Sequence, residues 1–178
     1  MLVDRIMGVL RLNAATFEEI EADQTATGQA AVVVALVALL GAIGTGLAAE
    51  NFVTAFVVQL VWAFVAWFLW AILTLWIGTS IFDGKADLGE MLRVTGFAQA
   101  PRVLSVLSFI PCVGWLIALA AGIWALVAAF IGIRQGLDLD NVKTLVTVII
   151  GWLVVFIGSL IIGFVFAGAA AGLGALTG

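Results

Sequence analysis

Thr95, Gln99 and Arg102 fall within one narrow arc of a helix drawn at 100° per residue, inside an apolar stretch long enough to cross a membrane. A guanidinium at that depth carries several N–H donors and a fixed charge. It either captures an anion, such as a lipid headgroup, or ties helices together through carbonyl and amide acceptors. Its cost near mid-membrane is about 2.5–3.5 kcal/mol on insertion scales, which directs it towards the interior of a bundle. Pro101 supplies one acceptor, because a proline inside a helix frees the carbonyl of the residue four before it, here Phe97. Gln59, on another apolar block, is expected at about the same depth, roughly 10 to 12 Å below the outer surface. Glu50 is in reach if the arginine snorkels outward. With no second mid-membrane charge to build a relay, a satisfied tie between helices is the preferred reading of Arg102. Arg102, Gln99, Thr95 and Gln59 together form the candidate intramembrane polar site, and in a small permease or channel Arg102, Gln99 and Gln59 line a polar path.

Other chemistry is sparse. The chain has no histidine and no tyrosine, which excludes histidine haem ligation, histidine zinc sites and histidine general-base catalysis. Ser105 and Ser108 lack a recognisable base partner. Asp83, Asp87, Glu90, Asp138 and Asp140 fall in two polar connections at spacings that match no established Mg²⁺ or Ca²⁺ loop, so helix capping is preferred. Cys112 is the single cysteine, cannot form an intrachain disulfide, and reads as a small apolar filler. No catalytic residue, metal site or cofactor is expected.

The elements that position these residues follow from composition. Hydrophobic residues make up 65% of the 178 and charged ones 10%, with a mean hydropathy of +1.28. Those values belong to a chain whose solvent is a bilayer. Apolar blocks run from about Gln29 to Ala49, Phe52 to Phe82, Met91 to Ile110, Val113 to Arg134 and Val142 to Ala171, each at spanning length. Met91 to Ile110 is the least apolar, yet counting it as a span places Arg5, Arg11, Lys85, Arg93, Arg134 and Lys143 on one side, as the positive-inside rule asks. The expectation is an all-α polytopic membrane protein with five transmembrane helices, a cytoplasmic N-terminus and an outer C-terminus, in which Pro111 makes the turn of a helical hairpin.

Residues 1–24 are expected as a cytoplasmic or interfacial segment, and 25–178 as the five-helix membrane domain. Leu2, Ile6, Val9 and Leu10 recur at helical spacing, which suits a short amphipathic helix in the headgroup region or else a flexible tail. The run from Ile6 to Leu10 is too short for a signal-peptide core, so the N-terminus is expected to be retained. Thr16-Phe17-Glu18-Glu19 has the form of a capping box and marks a helix start. Of the tryptophans, Trp76 and Trp115 are the candidate interfacial anchors, and the run Trp62, Trp67, Trp70 reads as packing. Gly41, Gly44 and Gly46, Ala118, Ala121, Gly122 and Ala125, and the pair Gly168 and Gly172 are placed for close helix approach, the last with the spacing of a dimer motif. A net charge of -4 leaves no basic surface, so nucleic acid is not an expected partner. Membrane lipids, a second copy or other membrane proteins are.

The Thr16 to Ile20 cap, the stretch Gly96-Phe97-Ala98-Gln99-Ala100-Pro101, the Ile110-Pro111 turn, Gly122-Ile123-Trp124 and the run from Gly132 to Asp138 stand in an order that resembles the prokaryotic branch of the Ypt-interacting-protein (Yip) domain family. The likeness runs over about Thr16 to Gly163. It implies a five-span membrane protein; eukaryotic members bind Rab-type GTPases, associate with one another and influence membrane shape. This sequence lacks their long cytoplasmic N-terminal region, so Rab binding is not carried over. The resemblance implies a non-enzymatic membrane-organising or partner-binding scaffold in a bacterial or archaeal cytoplasmic membrane, with a small permease or channel component as the alternative.

Overall fold

In lipid every backbone amide must be paired within its own segment, so long apolar runs fold as helices. The computed structural model describes residues 1–47 and 49–177, with side chains for all of these but 45, 166, 167 and 169–177. Among the described residues the elements are α1 (Leu2–Leu10), α2 (Ala14–Ala22), α3 (Ala26–Leu47), α4 (Phe52–Phe82), α5 (Leu88–Phe97), a 3-10 segment (Ala100–Phe109), α6 (Gly114–Gly136) and α7 (Asn141–Thr177). Four stretches are long and apolar enough to cross a membrane: Ala26–Gly44, Phe52–Phe82, Gly114–Gly136 and Asn141–Val165. The chain is thus all-helical and polytopic.

The third apolar block is not the single α-helix that its length suggests. Pro101 lacks the N–H that would reach the Phe97 carbonyl and its ring collides with that carbonyl, so α5 stops and a tighter helix begins with Pro101 in its first turn. Ten residues at 1.5 Å and ten at 2.0 Å give a compound segment about 35 Å long, still enough to traverse a bilayer core of about 30 Å.

The 3-10 segment lies between α3 and α6, while α5 below it packs on α2, α3, α4 and α6. α7 packs on α4 and α6, and the Trp62 indole N–H donates to Ser159 Oγ at 2.9 Å to join α4 to α7. The core is concentrated at the end that carries the α1–α2 hairpin, called the collar. There Val9, Phe17, Ile20, Met91, Val94, Phe97, Ile133 and Leu137 are fully buried. Towards the other end the helices turn broad apolar surfaces outward, as a lipid-facing bundle must. Trp76 and Trp115 are both exposed.

α1 is a helix docked on the protein through Val9 and Arg5, with Val3 and Met7 left exposed, rather than a free tail. The expected capping box at Thr16 and Glu19 is not the start of α2. Asn13 caps that helix by accepting from the Ala15 N–H, and Glu19 instead accepts from Arg5. A capping box does form at Asp87 and Glu90, where it opens α5. Asp140 accepts from the Val142 and Lys143 N–H groups at the start of α7. Cys112 is not a buried filler: it is exposed, in the left-handed conformation at φ 65°, in the turn that joins the 3-10 segment to α6.

Candidate functional site

Three residues complete a turn of 3-10 helix, so side chains at i and i+3 eclipse one another. Within Ala100–Phe109 that period lines up Arg102, Ser105 and Ser108, and Gln99, immediately before, extends the row. The row spans about 18 Å at 2.0 Å per residue. At its head the Arg102 backbone N–H donates to the Gln99 carbonyl at 2.8 Å, and the Arg102 Nη1 donates to Gln99 Oε1 at 3.2 Å.

α3 flanks the far part of the row with glycines. A Cβ at Gly41 would stand 3.3 Å from Ser105 Oγ, and one at Gly44 would stand 2.9 Å from both the Ser105 carbonyl oxygen and Ser108 Oγ. Gly44 thus holds backbone against backbone, the close approach the small residues of α3 were expected to allow, while Gly41 makes room for a side chain. Gly122 faces open space instead. Gly168 has nothing within 4 Å of an added Cβ, and Gly172 lies outside the residues whose surroundings are described. Gln99, Ser105 and Ser108 are half-buried and Arg102 is exposed, so the row forms a polar seam open along one side.

The structure brings together only part of the expected set. Gln99 and Arg102 are joined. Thr95 is buried in α5, where it donates to the Met91 carbonyl and accepts the Trp67 indole N–H at 3.2 Å, tying α5 to α4. Gln59 is half-buried on α4 and Glu50 is exposed beyond α3. Among the described residues the guanidinium's hydrogen bond goes to Gln99, not to Gln59, Glu50 or the Phe97 carbonyl. The expected tie between helices is therefore a bond within one segment. Pro111 occupies the expected turn: the Val113 N–H donates to its carbonyl and the Gly114 N–H to that of Ile110, each at 2.8 Å.

Other arginines do tie elements together: Arg134 of α6 donates to Asn141 Oδ1 at the start of α7 at 3.0 Å, and Arg5 and Arg93 act at the collar. Arg5 donates to Glu19 through Nε and Nη2 at 3.0 and 2.9 Å, to Asp23 Oδ2 at 2.6 Å and to Gln29 Oε1 at 3.1 Å. Arg93 donates twice to the Glu21 carbonyl, at 3.0 and 2.6 Å, and to Thr27 Oγ1 at 3.3 Å. Gln135 of α6 donates to Glu18. Hydrogen bonds from Thr25 and Arg5 lower the Asp23 pKa to about 2. Burial, with repulsion from Glu90, Asp138 and Glu18, raises that of Glu21. Arg5 carried a legible signal, since it sits four residues before Val9 on the buried face of α1.

An all-helical polytopic membrane protein with a docked amphipathic hairpin and a third apolar segment broken at a proline is the class this geometry defines. Within that class the chain belongs to the Yip1 domain family, whose model matches residues 7–175. Comparison with curated proteins and with solved structures returns no match.

Proposed function

We propose that this protein is a non-enzymatic scaffold of the cell membrane that organises lipids and binds other membrane proteins, a second copy included. In this reading it crosses the bilayer five times, with the collar and N-terminus in the cytoplasm and the C-terminus outside, in a bacterial or archaeal membrane. The observation that carries it is the placement of Arg102. The guanidinium lies exposed on the flank of the 3-10 segment and bonds Gln99 without engaging Gln59, which speaks for a lipid- or partner-facing surface over a closed solute path. Two hollows on the surface of the described residues support the same view. One of about 280 Å³ lies between α6 and α7, bounded by Phe130, Leu145 and Trp152, and one of about 290 Å³ is bounded by Val57, Trp62 and Ile162; both suit acyl chains. Membership of the Yip1 domain family is compatible with it.

The orientation rests on charge. Arg5, Arg11, Lys85, Arg93, Arg134 and Lys143 all lie on the collar elements or the connections beside them, and cations gather on the cytoplasmic side. The second reading, a small permease, is favoured by one feature, the polar row itself. Solute flux in proteoliposomes, set beside crosslinking and mass spectrometry of native partners, separates the two. Specific partners without flux support the scaffold, and reproducible Arg102-dependent solute flux overturns it.

A further inference from the structure

Arg102 presents more N–H donors than its partner can use, since Gln99 Oε1 takes only one of them. Charged donors left bare in hydrocarbon are costly, so such a group draws water or lipid phosphate to itself. The surroundings make this a track and not a point. Gly96 of α5, three residues before the row begins, stands against Ala30 of α3, with an added Cβ 2.9 Å from that of Ala30. Ser108, at the far end of the row, stands against Gly44. The distance from Ala30 to Gly44 along α3 is about 21 Å, most of the thickness of a hydrocarbon core. Within that depth the 3-10 period keeps Gln99, Arg102, Ser105 and Ser108 on one line about 18 Å long, with Arg102 exposed between half-buried neighbours of the row.

We propose that this seam conducts phospholipid headgroups between the two leaflets. The headgroup phosphate moves along the row, held by the Arg102 guanidinium at mid-depth and by the Gln99 amide and the Ser105 and Ser108 hydroxyls on either side. The acyl chains stay in the surrounding lipid, because the row opens sideways and does not enclose a pore. Phosphate is the chemistry recognised, and the sideways opening selects a lipid phosphate over a free one. The step is passive, forms and breaks no covalent bond, and goes beyond the scaffold reading.

The test uses the whole protein in vesicles of zwitterionic and anionic phospholipid, with a trace of phospholipid labelled on its acyl chain. Dithionite added outside bleaches accessible label, and albumin extracts it independently. Wild-type protein is expected to make inner-leaflet label accessible to both probes. Arg102→Leu should slow this about tenfold, the share of one charge-assisted hydrogen bond, while Arg102→Lys keeps most of the rate. If Arg102→Leu does not fold by size exclusion, Gln99→Leu and Ser105→Ala are read instead, and each should slow the exchange. Trapped inorganic phosphate should stay inside. Wild-type vesicles whose inner-leaflet label stays protected overturn the proposal. So does bleaching without albumin extraction, Arg102-dependent release of phosphate, or exchange that none of the variants slows.

Discussion

Arg5 and Asp23, eighteen residues apart in the chain, meet at 2.6 Å and hold α1 against the start of α3. Arg5 also bonds Glu19 and Gln29, so one buried guanidinium joins three helices. In a protein whose lipid-facing helices gain nothing from burial against lipid, this polar clamp and the apolar cluster beneath it set how the hairpin sits.

Arg5→Leu should release α1. Hydrogen bonds to charged groups contribute about 1.5–3 kcal/mol, and the lower end applies because Glu19 stays in contact with water. Amide exchange in α1 and α2 is expected to rise by about tenfold, with α4 and α6 unchanged.

Acid should act on the same clamp. The Asp23 pKa is lowered from 3.8 to about 2, so its contribution is fully present above the unfolded value and is lost as pH falls through about 2. Glu21 has the opposite sign. Its raised pKa favours the protonated form in the fold, so its contribution is present below 4.5 and is lost as pH rises through the raised value. Proteolysis of the hairpin across pH checks both: Asp23→Asn should remove the acid step, and Glu21→Gln should remove the loss at higher pH.

Two glycines with similar neighbours in sequence should respond oppositely. Gly44→Ala places a methyl 2.9 Å from the Ser105 carbonyl oxygen and should cost about 1–3 kcal/mol. Gly122→Ala meets nothing within 4 Å and should be neutral or stabilising by up to about 1 kcal/mol. Thermal unfolding in detergent measures both.

Pro101→Ala should let α5 continue. Residues converted from 3-10 to α rise lose about 0.5 Å each, so the segment should shorten by up to about 5 Å between spin labels at Leu88 and Phe109. The row of Gln99, Arg102, Ser105 and Ser108 would then wind around the helix, and lipid exchange should fall with it.

How far the sequence disclosed all this depends on the element. α4 runs over Phe52–Phe82 as its apolar block does, because Asn51 caps one end and Asp83 with Gly84 closes the other. The third block departs from a period of 100° per residue because Pro101 ends the α-helix and starts a 3-10 turn. The alternative was visible: Gln99, Arg102, Ser105 and Ser108 stand three apart throughout, the period of the helix that Pro101 forces. Thr16 and Glu19 fitted a capping pattern, but the pattern is local, and it lost to a distant arginine and to Asn13. The place of Arg5 on the buried face of α1 was legible, but its partners and those of Arg93 were not, since they are decided by which side chains the docked hairpin brings near.

In the proposed five-span arrangement the broken third segment crosses the bilayer and places the Pro111 turn outside. Cys112 sits exposed in that turn and is the single cysteine, so the native protein carries its own reporter. A membrane-impermeant maleimide applied to intact cells is expected to label the wild-type protein, and not Cys112→Ser. Labelling that requires prior permeabilisation of the membrane would put the turn in the cytoplasm and contradict five crossings.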